Sequence, residues 1–177
     1  MQKILSSAPH LRGSESTSGI MCDVIIALIP TSVAAVYFFG LSALINILVC
    51  VGVSIAAEGL LQYFCKKKVT IGDCSAAVTG LLLALNLPPE VPIYVPITGS
   101  IFAIIVVKQI FGGLGHNFMN PALGARAFLL ISFPVAMTTW VAPGAVDAVA
   151  TATPLAISSG VAEGSLPTLM QMFVGDM

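Results

Sequence analysis

Leu41-Ser42-Ala43-Leu44-Ile45-Asn46-Ile47-Leu48-Val49-Cys50-Val51-Gly52-Val53-Ser54-Ile55-Ala56-Ala57-Glu58-Gly59-Leu60-Leu61-Gln62-Tyr63-Phe64 is a long apolar run that stops at Cys65-Lys66-Lys67-Lys68. It is long enough to cross the hydrocarbon core of a bilayer as a helix, which takes about 20 residues. Helical form follows because each backbone amide in lipid must find its partner within the segment. A second such run, Met21 to Phe39, precedes it, and only Gly40 separates the two, which predicts a tight helical hairpin. Three lysines in a short loop mark that loop as cytoplasmic by the positive-inside rule. Two crossings earlier the N-terminal arm is cytoplasmic as well, in keeping with Lys3 and Arg12.

Composition extends this reading to the whole chain. Of 177 residues 57% are hydrophobic and 8% charged, against about 25% charged in soluble domains. The mean hydropathy is +1.01. An integral membrane protein is expected. A net charge of -1 without a basic stripe argues against nucleic acid as a partner. Residues 1–20 carry Lys3, Arg12, Glu15 and several serines but no apolar core, so they are not a secretory signal. Cys22, Cys50, Cys65 and Cys74 form no Cys-x-x-Cys pair and are expected to be free thiols, with no metal site.

Beyond the lysines, Asp73 is a candidate N-cap for a short segment from Ser75 to Leu87, ended by Pro88-Pro89-Glu90-Val91-Pro92. This segment is either a discontinuous helix, as in transporters, or a tilted span in a thinned region. A fourth segment, Ile93 to Phe111, returns toward the cytoplasm, with Lys108 near its end placed to snorkel. The loop Gly112-Gly113-Leu114-Gly115-His116-Asn117-Phe118-Met119 could hold a phosphate on its amides, but close helix packing is the favoured role of its glycines. Asn120 and Pro121 read as N-cap and first residue of a fifth helix to Val141, with Arg126 in its first third and a kink at Pro134. The architecture predicted is therefore all-α: a cytoplasmic arm over 1–20, a bundle of about five transmembrane helices over 21–141, and an extracytoplasmic loop over 142–165. A further apolar segment begins in 166–177 and suggests that the chain continues beyond Met177.

Few residues offer chemistry. Asp147-Ala148-Val149-Ala150-Thr151-Ala152-Thr153-Pro154-Leu155 is a run of small residues in which Pro154 favours an extended, presented Thr153. By itself it could equally be a loop whose hydroxyls cap a helix. Among the ionisable residues of the spans, Asp23 and Lys108 lie near ends and fit interfacial anchoring. Glu58, about two turns before the lysine run, could pair with a lysine or line an ion path. No catalytic residue is assigned.

Four blocks in order resemble the RnfD/NqrB family of membrane subunits. They are the opening Ser7-Ala8-Pro9-His10 with Ile20-Met21-Cys22-Asp23-Val24, the stretch Gly72 to Leu85, the stretch Phe102 to Ala122 with Lys108-Gln109-Ile110-Phe111-Gly112-Gly113, and Asp147 to Leu155. The last is similar to the family's flavinylation motif, with Asp147, Ala152 and Thr153 at matching positions and Ala150 where the motif has Ser or Thr. The resemblance implies covalent FMN, joined through its phosphate to the Thr153 hydroxyl by a flavin transferase, with Asp147 and Ala152 recognised as part of the motif. It allows a second, noncovalent flavin such as riboflavin. It implies the first half of a ten-helix inverted-repeat fold like that of urea and ammonium channels. It places the chain in a prokaryotic cell membrane; five crossings from a cytoplasmic N-terminus, counted from the lysines and segment lengths, put Thr153 on the extracytoplasmic side. The implied role is electron transfer between ferredoxin and NAD with Na+ or H+ translocation, beside the partners RnfA, RnfB, RnfC, RnfE and RnfG. The short N-terminal arm favours this branch over NqrB, which belongs to Na+-pumping NADH:quinone oxidoreductase. A small-solute channel or transporter is the remaining alternative.

Overall fold

A computed structural model describes residues 16–66, 69–141, 157–160, 166 and 168–174. They are mostly helical, with no β-strand among the described residues. Helix α1, Thr17–Phe64, has 48 residues and carries non-helical geometry at Gly40, φ 67° and ψ -147°. A straight helix of that length would extend about 72 Å. Yet Ser18 Oγ, at one end, donates to the carbonyl of Gly72, just past the other end, at 3.1 Å. The two arms, 17–39 and 41–64, are therefore antiparallel, and the expected hairpin is made by one residue. Only glycine takes this backbone conformation without strain. All the buried residues of α1 lie on the 41–64 arm. The 17–39 arm presents Ile26, Val33, Tyr37 and Phe38 outward. Among the described helices α1 is the one long and apolar enough to cross a membrane.

A 3-10 turn, Ile71–Asp73, leads into α2, Ser75–Ala84. The expected cap is displaced by one residue. Cys74, with φ 60°, precedes the helix, while the Asp73 carboxylate still accepts from the Ser75 amide at 2.9 Å. The helix has ten residues and rises only about 15 Å, ending three residues before the expected Leu87. The irregular chain that follows runs inside the protein: Leu87 and Val91 are buried, and the carbonyls of Pro88 and Pro89 accept from Asn46 Nδ2 at 3.2 and 3.0 Å. Non-helical backbone inside a membrane protein is tolerated where protein groups satisfy it, as Asn46 does here. Alongside, a Cβ on Gly80 would fall 2.6 Å from the Cys50 carbonyl oxygen, so α2 and the 41–64 arm meet backbone to backbone.

Helix α3, Tyr94–Ile101, continues as a π-helix over Phe102–Gln109. After the glycine-rich loop, Asn120 Oδ1 accepts from Ala122 and Leu123 amides at 2.9 and 3.4 Å and caps α4, Pro121–Ser132, as predicted. The predicted fifth helix is broken rather than kinked. Phe133 is non-helical at φ -132° and ψ 58°, and α5 is the short Pro134–Thr138. Proline disfavours helical geometry at the residue before it and offers no N–H to carry the ladder across. A last helix, α6, covers Leu169–Val174.

The core joins α2, α3, the π-helix and α4 through Leu83, Val95, Ala103, Ala125 and Leu129. The rings of Phe102 and Phe128 stack at 4.1 Å. The bundle has two ends. At the lysine-loop end lie Ser18, the 71–73 turn and Lys108. At the Gly40 end, Ser42 Oγ donates to Glu90 Oε1 at 3.0 Å, Tyr94 meets Phe133 edge to face, and Trp140 shares a small cavity with Ala35, Phe39 and Ala43.

Candidate functional site

Along the 41–64 arm the buried polar residues recur every fourth position: Asn46, Ser54, Glu58 and Gln62, with the Cys50 thiol completing the series. Residues four apart lie on one helix face. Polar side chains thus form a continuous seam turned into the bundle. From sequence only the ionisable member stands out, although the spacing is visible in the residues.

The seam's charged member meets Lys108. Its Nζ lies 2.8 Å from Glu58 Oε2, with the two side chains 2% and 1% exposed. The snorkelling lysine expected from sequence is overturned: Lys108 is buried and aimed across the bundle. The π-helix is the physical reason. Ile110 N donates to Ile105 O at 3.1 Å and Gly113 N to Lys108 O at 3.0 Å, both five residues back. The wider turn brings Val107, Lys108 and Gln109, three consecutive residues, all to the buried side. Such wide turns are frequent at functional sites.

Every member of the site has a partner. Glu58 Oε1 accepts from Gln109 Nε2 at 2.6 Å and from Gln62 Nε2 at 3.2 Å. Gln62 holds Thr70, donating to its hydroxyl and accepting from its amide, each at 2.8 Å. Lys108 Nζ also donates to Ser75 Oγ at 2.6 Å, and the Ser75 hydroxyl donates in turn to Asp73 Oδ1 at 2.6 Å. A charge pair out of water persists only when its remaining donors and acceptors are satisfied. Here neighbouring side chains from the 41–64 arm, the start of α2 and the π-helix do so. Higher along the seam the Ser54 hydroxyl is buried with no partner among the described residues, while Ser100 of α3 faces the Cys50 thiol.

A cavity of about 290 Å³ opens beside the pair, lined by Glu58, Gln62, Thr70, Asp73, Gln109 and the loop from Gly112 to Leu114 with His116. It has room for several waters or a hydrated small cation. Among the described residues no three His, Cys, Asp or Glu side chains cluster to hold a metal. The arrangement suits proton relay or weak cation binding rather than tight ligation. The loop glycines have a different role from the packing expected: Gly112 and Gly113 take φ 114° and 93° and turn the chain around the cavity mouth. Close packing falls instead to glycines within helices, such as Gly80.

Glu58 is thus the sequence-predicted residue that the fold builds into a site. Asp147, Ala152 and Thr153 lie outside the described residues. Asp23 is exposed, and Arg126 Nη1 donates to Asn86 Oδ1 at 2.7 Å on the surface. Ser75, Gln62 and Gln109 are not singled out by sequence because neutral side chains gain meaning only from the charge they surround.

Comparison with known proteins gives a consistent picture. The model of the NQR2, RnfD, RnfE family matches residues 4–177. The chain is 50% identical over 171 residues to the D subunit of the Na(+)-translocating ferredoxin:NAD(+) oxidoreductase complex of Acetobacterium woodii, covering 97% of this chain and 54% of that protein. It is 46% identical over 155 residues to the D subunit of the proton-translocating ferredoxin:NAD(+) oxidoreductase complex of Clostridium ljungdahlii, covering 86% and 47%. Over 141 residues it is 43% identical to the D subunit of the ion-translocating oxidoreductase complex of Shewanella amazonensis, covering 78% and 40%. The chain spans about half the length of the curated relatives it matches.

Proposed function

The chain belongs to the NQR2, RnfD, RnfE family, and from that premise we propose that it serves in a membrane flavoprotein subunit of an ion-translocating ferredoxin:NAD oxidoreductase complex. In this reading Thr153 carries FMN as a phosphoester, Asp147 and Ala152 belong to the sequence the flavin transferase recognises, and the flavin relays electrons between other members of the complex. The protein contributes position and electrostatics, while the ring system supplies the redox chemistry. The five segments are then one half of a ten-helix inverted-repeat fold in the cell membrane.

The observation that carries this reading is the course of the chain. Trp140 lines the same small cavity as Ala35, Phe39 and Ala43 at the Gly40 end, opposite the lysine loop. With the lysines cytoplasmic, the last residues described before the stretch around Thr153, up to Val141, stand toward the outer end, which supports an attachment site within reach of an extracytoplasmic transferase. The test is flavin fluorescence of the denatured, washed protein on a gel, after expression with the transferase. A fluorescent band that is lost in Thr153→Ala supports the reading; a dark wild-type band overturns it.

Glu58 is proposed to lie on the path of the coupling ion, supported by its cavity and by the polar seam above it. In the assembled complex Glu58→Gln should lower Na+ or H+ uptake per electron transferred. Unchanged uptake would remove Glu58 from the path.

A further inference from the structure

Two sulfurs 52 residues apart meet where the 17–39 arm passes the start of α2. Cys22 Sγ and Cys74 Sγ are 3.6 Å apart, and both are free thiols. One turn of helix away, Ser18 Oγ holds the Gly72 carbonyl at 3.1 Å. The arm is thus braced at two points against the 71–73 turn. Cys74 is held in place by its own backbone, its amide donating to the Ile71 carbonyl at 3.3 Å with φ at 60°. Neither sulfur belongs to the ion-pair network, yet Cys74 stands between Asp73 and Ser75, which do. The Cys22 thiol beside it pushes the Cys74 thiol up.

We propose that Cys22 and Cys74 are a thiol-modification site, forming a reversible disulfide that staples the outer arm of the hairpin to the start of α2. A disulfide has its sulfurs about 2.05 Å apart, so they must approach by roughly 1.5 Å. Side-chain rotation and a small shift of the arm supply this, because no residue of that arm is buried. In the reaction both S–H bonds break and one S–S bond forms. A peroxide takes the two electrons and two protons, its O–O bond breaks, and it leaves as two molecules of water. Exchange with a small thiol restores the pair. The staple ties the thiol state to the Asp73–Ser75 bonds that steady Lys108.

The experiment uses membranes holding the full-length protein with Cys65→Ser, which removes the exposed thiol as a source of intermolecular bridges. Membranes are treated with hydrogen peroxide, alkylated with N-ethylmaleimide and mapped by peptide mass spectrometry. The expected result is loss of alkylation at Cys22 and Cys74 in step, a cross-linked peptide joining them, and recovery of both by dithiothreitol. With Cys22→Ser, Cys74 should give no cross-linked peptide and no dithiothreitol-reversible loss. Continued alkylation of both thiols after peroxide would overturn the proposal. So would oxidation of Cys74 to a sulfinic acid without a cross-link, or an unchanged reversible loss at Cys74 in Cys22→Ser. If Cys22→Ser fails to accumulate, the cross-link map of the Cys65→Ser protein decides alone.

Discussion

At the lysine-loop end a carboxylate and an ammonium, Glu58 and Lys108, are buried among neutral donors and acceptors; at the Gly40 end a single neutral amide, Asn46, meets the carbonyls of Pro88 and Pro89. Both places face the same constraint, polar groups held out of water. In one the polarity is built from charged side chains and opens onto a cavity. In the other it is backbone left over where α2 stops short, and one side chain closes it. The difference separates polarity that serves packing from polarity that serves chemistry. A carboxylate–ammonium pair gains little stability over an apolar replacement, so its retention beside a cavity points to a use. An amide on two stranded carbonyls needs no such explanation.

The contrast can be broken by substitution, read as the thermal midpoint of the purified full-length protein in detergent. Lys108→Met should have the largest effect. It leaves the Glu58 charge buried with only amide partners, a loss of about 3–5 kcal/mol. The double variant Glu58→Gln with Lys108→Met should recover a large part of that loss, because the two charges leave together. Equal losses in single and double variants would mean that the charge pair is not what holds that end. Asn46→Leu should cost less, about 1–3 kcal/mol for carbonyls left without a donor. A loss as great as that of Lys108→Met would erase the distinction between the ends. Ser42→Ala removes the exposed bond to Glu90 and should change stability by about 0.5 kcal/mol or less.

Much of the fold is legible in the residues. Gly40 between two apolar runs marks the hairpin, Asn120-Pro121 marks the start of α4, and Pro88-Pro89 marks the end of a short third segment. These are local signals, carried by residues whose backbone preferences act alone. What escapes depends on register and on distant neighbours. A regular helix would put Lys108 at the membrane surface; one stretch of wider turn rotates it inward onto a carboxylate fifty positions earlier. The break at Phe133 exceeds the kink expected, since Pro134 alone does not say whether neighbouring helices will repair the ladder. The Cys22–Cys74 contact exists only after the hairpin closes. Asp147, Ala152 and Thr153 lie outside the described residues, and the chemistry proposed for them rests on the motif.

The reversal at Gly40 uses no loop, and that has a practical result. Among the described residues no loop projects at Gly40 itself for a protease or an inserted tag to hold. An epitope inserted at position 40 should spoil assembly, whereas one placed among the lysines at 66–68 should leave the two arms free to pair.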